Sequence, residues 1–266
     1  MQGCMCLLMS LMLFSAPSVS QTSNLAEITP EVLQELLNLI DSDLYRFNAI
    51  ELAPTVRLAF HECVSGCDGS VNLSATQNRG LEGVTIRIHN AYESGPNAAY
   101  YQNYLTEADF VVLVTSRAVG HGLRAGRARV PHVTSTAHFH YGRPTGPHWS
   151  ADPTEGEIVD ASDNWPAVLA FLGQHLSPVT ENELIALMGL HGMGRCETHN
   201  SGYNGPWDND RGVISNDFYR KLLGIGDRDV NFVQVQVPEP NSPAPSQVFP
   251  SDPPEFDEIQ WERRDN

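Results

Sequence analysis

Basic residues are scarce in this chain of 266 residues. The 16 lysines and arginines stand against 32 aspartates and glutamates, which gives a formal net charge of −16 at pH 7. A protein that binds DNA or RNA needs clustered positive charge to neutralise phosphates, so this composition argues against a nucleic-acid partner. The excess of negative charge also slows the approach of anionic small molecules and favours cationic partners.

Long apolar runs are scarce as well. The most apolar stretch, CLLMSLMLF near the N-terminus, is too short to cross a bilayer. Small residues follow it, with Ser18 and Ser20 placed for cleavage before Gln21. This pattern predicts a secretory signal peptide over residues 1–20, a secreted protein and no association with the membrane.

Cysteine is sparse, with five in the whole chain, and cleavage of the signal would leave Cys63, Cys67 and Cys196. In an oxidising compartment Cys63 and Cys67 are close enough in sequence to pair, and Cys196 would then be an odd thiol. Asn72 opens an Asn-Leu-Ser sequon that a secreted protein could use for glycosylation.

Helical patterns dominate the rest of the sequence, which predicts a mostly α fold. Helices are expected from Thr29 and Pro30 onward and over residues 52–63, 106–120, 164–176, 180–194 and 215–224. Residues 81–92 fit either a helix or a strand. Residues 121–160 show no periodic spacing of apolar residues and are expected to be irregular. The proline-rich residues 238–266 predict an extended or mobile tail.

Two histidines occupy positions where they could share a ligand. His191 continues the apolar spacing that begins at Leu184, so it lies on the apolar face of the predicted helix. Taken alone, such a residue is most simply interpreted as a hydrogen-bonded histidine of the core. Arg57 and His61 are four residues apart, so both project from one face of their helix and can meet over a common ligand, with Phe60 beside them.

Together these segments resemble the haem pocket of the plant-type haem peroxidases. Arg57, Phe60 and His61 match the family's distal pattern Arg-x-x-(Phe/Trp)-His. His191 is followed by Ser-Gly-Tyr-x-Gly-Pro and then by Trp207, 16 residues after it, which is similar to cytochrome c peroxidase and ascorbate peroxidase.

The resemblance covers residues 29–224 and implies a haem-peroxidase fold, in which two helical lobes sandwich a haem b. The implied domain spans residues 21–237, with a distal lobe over about 21–145 and a proximal lobe over about 146–237. The family's proximal histidine donates its second N–H to a buried aspartate beyond a segment that resembles IQWERRDN. Because the chain stops at that segment, the C-terminal helices of the fold are expected to be missing.

On the distal side, the resemblance implies that His61 takes a proton from one peroxide oxygen and returns it to the other. Arg57 would stabilise the charge that develops as the O–O bond breaks. Asn78, in a segment that resembles the family's Asn-x-Gly-Leu element, would accept the second ring N–H of His61. Phe60 would line the haem.

On the proximal side, the resemblance implies that His191 ligates the haem iron. Trp207 would stack on its imidazole and carry one electron hole. The implied reaction is the reduction of hydrogen peroxide, coupled to the one-electron oxidation of a small reducing donor.

A calcium ion is a separate expectation from the same resemblance. Glu62, Gly66, Asp68 and Ser70 match in type the oxygen ligands that secreted members of the family place after the distal histidine, and such ligands suit Ca²⁺. No ion is expected on the proximal side, because Gly192 stands where the family has Thr or Ser.

Two alternatives remain open at this stage. One is a catalytically weak or silent haem-binding or matrix protein that has kept the scaffold. The other is a haem-free zinc site in which the ligands would be drawn from His191, Cys196 and His199, with His138 and His140 on one strand face.

Overall fold

A computed structural model describes residues 25–47, 51–125, 139–146, 158–159, 164–176, 180–196, 203–207, 210–222 and 235–236. The predicted signal peptide and the whole of the predicted tail lie outside these residues, as do His138 and His199. In chain order the α-helices are α1 Pro30–Ile40, α2 Leu52–Ser65, α3 Glu82–Ser94, α4 Ala98–Tyr104, α5 Glu107–Ala125, α6 Trp165–His175, α7 Glu181–Met188 and α8 Asp217–Leu222.

Shorter elements complete the described part of the chain. A π-helix, Asp41–Phe47, extends α1, and 3-10 turns cover Thr76–Asn78 and Gly189–Gly192. Three short antiparallel strands, β1 Arg195–Cys196, β2 Tyr203–Pro206 and β3 Val235–Gln236, lie in the order β1-β2-β3. The prediction of a mostly α fold is confirmed, and residues 81–92 belong to a helix. No helix in the described ranges is long and apolar enough to cross a membrane.

Helix starts follow the local chemistry of the sequence. The Thr29 hydroxyl accepts a hydrogen bond from the Val32 amide at 3.3 Å, with Pro30 in the first turn of α1. At α7, Thr180 and Glu183 form a reciprocal capping box. Both starts agree with the sequence prediction, because a cap depends only on neighbouring residues.

The main core forms around α2 and α5, which pack along one another. Five consecutive residues of α5, Phe110 to Val114, are buried, so this helix is covered on all sides. Asp109 at its start is fully buried and accepts hydrogen bonds from Arg143 Nη1 at 2.8 Å and from the Gly142 amide at 2.6 Å. This pair ties residues 139–146 to the helix.

The predicted end of this helix at Gly120 is wrong, since α5 continues to Ala125. Gly122, near its end, serves packing instead of termination. A Cβ atom on Gly122 would lie 2.5 Å from Sδ of Met193 and 3.2 Å from Cγ1 of Ile214. The Gly122 carbonyl also accepts the Ile214 amide at 3.2 Å. From the local sequence alone, a glycine that lets distant chain segments approach looks the same as a glycine that ends a helix.

The helix predicted over residues 180–194 is also too long. α7 ends at Met188, and His191 lies on the 3-10 turn that follows, so it does not continue the apolar face of the helix. At Gly189 a Cβ atom would lie 2.8 Å from Oη of Tyr219, so the missing side chain lets that hydroxyl approach the turn. The backbone then turns at Gly194, whose φ of +95° suits glycine.

Candidate active site

Helix α2 carries the distal group of side chains. His61 is 5% exposed, and its Nδ1 lies 2.7 Å from Oδ1 of Asn78, which is itself 1% exposed. The Asn78 Nδ2 donates to the Asn72 carbonyl at 2.8 Å. Because Nδ2 is the donor in that bond, Oδ1 must accept, and the His61 proton must therefore reside on Nδ1. The Nε2 atom of His61 then carries the lone pair of a base.

Arg57 lies one turn before His61 on the same helix. Its guanidinium donates to the carbonyl oxygens of Gln77 and Arg79, the second at 2.8 Å. Burial and the positive charge of Arg57 together lower the pKa of His61 to about 4, against a smaller opposing effect of the Asn78 hydrogen bond. His61 is therefore a neutral base near neutral pH.

The 3-10 turn after α7 carries the proximal group. His191 Nδ1 lies 3.0 Å from the carbonyl oxygen of Met188. A carbonyl can only accept, so Nδ1 holds the proton and Nε2 holds the lone pair. Burial lowers the pKa of His191, which also favours the neutral imidazole.

Aromatic rings fix the orientation of this imidazole. Trp207 was predicted to stack on His191, but its ring meets the imidazole edge-on, with centroids 5.1 Å apart and an interplanar angle of 66°. The stacked ring is that of Phe218, at 5.4 Å and 24°. Phe218 is fully buried on α8, so it holds the position that the prediction assigned to Trp207.

Both histidine groups adjoin one apolar cluster. Phe60 from the distal helix and Leu190, next to His191, both pack against it, and its buried members are Val64, Val168, Leu172, Leu176, Leu184 and Leu187. The lone pair on His191 Nε2 can ligate a haem iron, and the shared apolar surface suits the porphyrin. The described residues therefore fit the cofactor that the sequence resemblance implies.

The candidate calcium ligands lie at the C-terminal end of α2 and just after it, with Glu62 in the last turn of the helix. Glu62 Oε1 accepts the Gly69 amide at 2.6 Å, while Asp68 Oδ1 accepts the Ser70 amide at 3.0 Å and the Ser70 hydroxyl at 2.6 Å. Burial, with added repulsion from Asp68, raises the pKa of Glu62 to about 8. Gly66, the remaining member, caps α2 through its amide.

Cysteine chemistry at this end of α2 excludes thiolate ligands there. Glu62, Cys63 and Cys67 form the one group of three potential metal ligands among the described side chains. However, Cys63 and Cys67 are joined by a disulfide. For the zinc alternative, His199 and His138 lie outside the described residues, so that set stays a prediction.

Asn72 does not suit the glycosylation that its sequon suggests. The residue is 8% exposed, and its Oδ1 accepts a hydrogen bond from the Ser74 amide at 2.9 Å. Its carbonyl meanwhile receives the Asn78 side chain. In the folded protein this residue supports the distal histidine and is inaccessible to a bulky glycan.

Several contributors to the site escaped the sequence analysis. Three are backbone carbonyls, those of Met188, Gln77 and Arg79, and these carry no residue-type signal. Phe218 had a usable signal, since it lies in a segment, SNDFYRKLL, that itself resembles the family. Its contact with His191 is tertiary, however, and no spacing rule reveals it.

Comparison with known proteins adds independent evidence. The family model described as "Peroxidase" matches residues 35–243, which is most of the chain. The mitochondrial cytochrome c peroxidase of Yarrowia lipolytica is 38% identical over 74 residues, 28% of this chain and 21% of that protein. The cytosolic L-ascorbate peroxidase 1 of Oryza sativa subsp. indica is 29% identical over 157 residues, 59% of this chain and 54% of that protein. The chain thus spans about half the length of the rice protein and about a fifth of the yeast protein.

Proposed function

The chain belongs to the peroxidase family, and on this premise we propose that it is a haem enzyme that reduces hydrogen peroxide while oxidising a small donor by single electrons. The observation that carries the proposal is the pair of histidine tautomers. Both His61 and His191 hold their proton on Nδ1, through Asn78 and Met188 respectively, so each has an Nε2 lone pair. One lone pair serves iron, and the other serves as a base.

The protein's part in the reaction is to move one proton and to stabilise charge. When bound to His191, haem supplies the iron that exchanges electrons with peroxide and donor. His61 Nε2 accepts the proton from one peroxide oxygen and delivers it to the other, which leaves as water. Arg57, close enough to lower the pKa of His61, provides positive charge where negative charge develops.

We propose in addition that the protein is secreted after removal of residues 1–20. The disulfide between Cys63 and Cys67 supports this, because disulfides persist in oxidising compartments and are rare in the cytosol. Expression with the native N-terminus and N-terminal sequencing of the secreted product test the proposal, which predicts a mature protein that begins at Gln21.

A calcium ion near Glu62 is a further part of the proposal. Two carboxyl groups within the short segment that follows the distal histidine, Glu62 and Asp68, offer hard oxygen ligands to a cation, and the charge of the cation would oppose the raised pKa of Glu62. We expect Ca²⁺ to raise the melting temperature of the unaltered protein and of an Asp217→Asn control, where the carboxylate is on α8. Asp68→Asn should abolish the effect, and an equal rise in all three proteins would contradict the site.

The activity is tested by absorption spectroscopy of residues 21–266 with haem, before and after addition of peroxide. We expect a spectrum of one axial histidine that changes rapidly with peroxide. His61→Leu should slow that change by roughly 10²–10⁴-fold and leave haem affinity intact. His191→Ala should instead weaken haem binding.

A matched control is His140→Ala, because His140 is exposed and distant in sequence from both groups. It should behave as the unaltered protein does. Haem bound without any reaction with peroxide would favour the silent haem-binding alternative. An His191→Ala protein that binds haem as tightly as the unaltered one would refute the assignment of the iron ligand.

A further inference from the structure

Two tyrosines on α4 have their rings in contact. Tyr100 and Tyr104 are four residues apart on this helix, so their side chains leave the same face. Their ring centroids lie 5.0 Å apart, at an interplanar angle of 57°. Burial raises the pKa of Tyr100, and the Tyr104 hydroxyl and the charge of Glu35 raise it further. The influence of the Tyr104 hydroxyl indicates that the two hydroxyl groups lie near each other.

The neighbouring tyrosines are held apart from one another. The ring of Phe110 lies between Tyr92 and Tyr101, with its centroid 5.5 Å from the first and 4.6 Å from the second. Both of these tyrosines are buried, and each hydroxyl donates to an oxygen acceptor of the protein. Tyr100 and Tyr104 are half-buried instead, and theirs is the one contact between two phenol rings among the side chains that the structure describes.

Contact between two phenols matters in a protein that handles oxidants. A phenol that loses one electron and one proton becomes a phenoxyl radical, in which the ring carbons beside the oxygen share the unpaired electron. Two such radicals in contact join through these carbons, and the hydrogen atoms of the joined carbons move to the oxygens, which restores both phenols. Rings that already touch react at an effective concentration far above that of two separate protein molecules.

We propose that Tyr100 and Tyr104 are a self-modification site, at which the protein's own reaction with hydrogen peroxide links the two rings as dityrosine when no donor is present. This inference rests on the proposed function, because peroxide is the oxidant. One hydrogen peroxide accepts one electron and one proton from each phenol and becomes two water molecules, while the protein loses two hydrogen atoms. One peroxide therefore matches one pair of rings in electrons and in atoms.

The position of the pair favours a reaction within one chain. Both rings pack against the main core, whose buried members include Leu58 and Ala59 of α2, the helix that carries His61. Electrons thus leave the pair through packed protein. Coupling between two molecules is disfavoured, because each carries a formal net charge of −16 and like charges repel at encounter.

The test treats the full protein, loaded with haem, with one equivalent of peroxide and no donor, and then maps its tryptic peptides by mass spectrometry. Cleavage after Arg87 and Arg117 gives one peptide, residues 88–117, that contains both rings. We expect this peptide to lose the mass of two hydrogen atoms and to give no fragment ions from cleavage between Tyr100 and Tyr104. Tyr100→Phe and Tyr104→Phe should each abolish this product.

Tyr141→Phe is the matched control, because Tyr141 is 41% exposed and its ring lies against Phe139. This variant should form the product as fully as the unaltered protein, with a yield that does not depend on protein concentration. A dimer linked through Tyr141, or a peptide 88–117 of unchanged mass, would overturn the inference. The proposed function would survive either result if peroxide still changed the haem spectrum, whereas an unchanged spectrum would defeat the proposed function itself.

A second measurement needs neither a variant nor a reaction at haem. Illumination of the unaltered protein with ruthenium tris-bipyridine and persulfate removes electrons from accessible phenols. We expect the same loss of two hydrogen atoms in residues 88–117, because the contact between the rings is present before any oxidation. Photochemical products confined to other tyrosines would overturn the inference, since the two rings would then be unable to couple.

Discussion

The proposed reaction with peroxide should have an acid limit that follows from the environment of His61. Its pKa is lowered to about 4 by burial and by the charge of Arg57. At pH 5 a base with a pKa of about 4 is about nine-tenths neutral, whereas an unperturbed histidine with a pKa near 6.5 is only about 3% neutral. The structure thus predicts a rate at pH 5 that is about thirty times higher than an ordinary histidine would allow.

The assay is the second-order rate of the haem absorption change with peroxide, measured by stopped flow between pH 3.5 and about 8. We expect a plateau at neutral pH and a fall as pH drops through about 4, since protonated His61 cannot accept a proton. Arg57→Gln removes the positive charge and should move the midpoint to higher pH, while Arg57→Lys should keep it low. The midpoint is independent of the plateau height, which Arg57→Gln will also reduce.

A midpoint near 6.5 in the unaltered protein would refute this account of His61. The same conclusion would follow if Arg57→Gln and Arg57→Lys shared one midpoint, because the charge of Arg57 would then have no influence on the base. His140→Ala serves as the control here as well, and its pH profile should match that of the unaltered protein.

Three further predictions concern support for the site. Asp109→Asn leaves Arg143 buried without its counter-charge and should lower the free energy of unfolding in urea by about 3–5 kcal/mol. Adding Arg143→Met to this variant should restore much of the lost stability. An Asp109→Asn protein as stable as the parent would contradict the pairing. Asn78→Leu should slow the peroxide reaction by roughly 10–100-fold at unchanged haem affinity, and an unchanged rate would exclude tautomer control. Gly122→Ala should lower the free energy of unfolding by about 1–3 kcal/mol, because the new Cβ atom would clash with Met193. Thermal unfolding checks this, and a variant as stable as the parent would contradict it.

Features that depend on neighbouring residues were predictable from the sequence. The caps at Thr29 and Thr180 are local hydrogen bonds, and the i,i+4 spacing of Arg57 and His61 follows from helix geometry alone. The approach of Asn78 to His61 came from the family resemblance, and the structure places the two atoms 2.7 Å apart. The haem-peroxidase fold is supported by the family match.

The remaining features depend on residues far apart in sequence. Whether a glycine ends a helix or admits a neighbour depends on what packs against it, as Gly122 shows with Met193 and Ile214. The exchange of Trp207 for Phe218 as the stacked ring has the same origin, because α8 must dock before Phe218 can reach His191. Backbone acceptors such as the Met188 carbonyl cannot be predicted from residue types, because every residue carries the same carbonyl group.

The close packing at Gly122 has a consequence for the order in which the chain folds. Met193, two residues beyond His191, rests against Gly122, a helix residue about 70 positions upstream, and the Gly194 amide donates to the Arg211 carbonyl. The Met193 contact can form only once the end of α5 is in place, and the entropy of closing this long loop is lost before the contact is gained. Amide protons around residues 189–194 should therefore acquire protection from exchange after those of α2 and α5. Haem captured during refolding would then meet the side chains of α2 already in place, and His191, its proposed ligand, would arrive last.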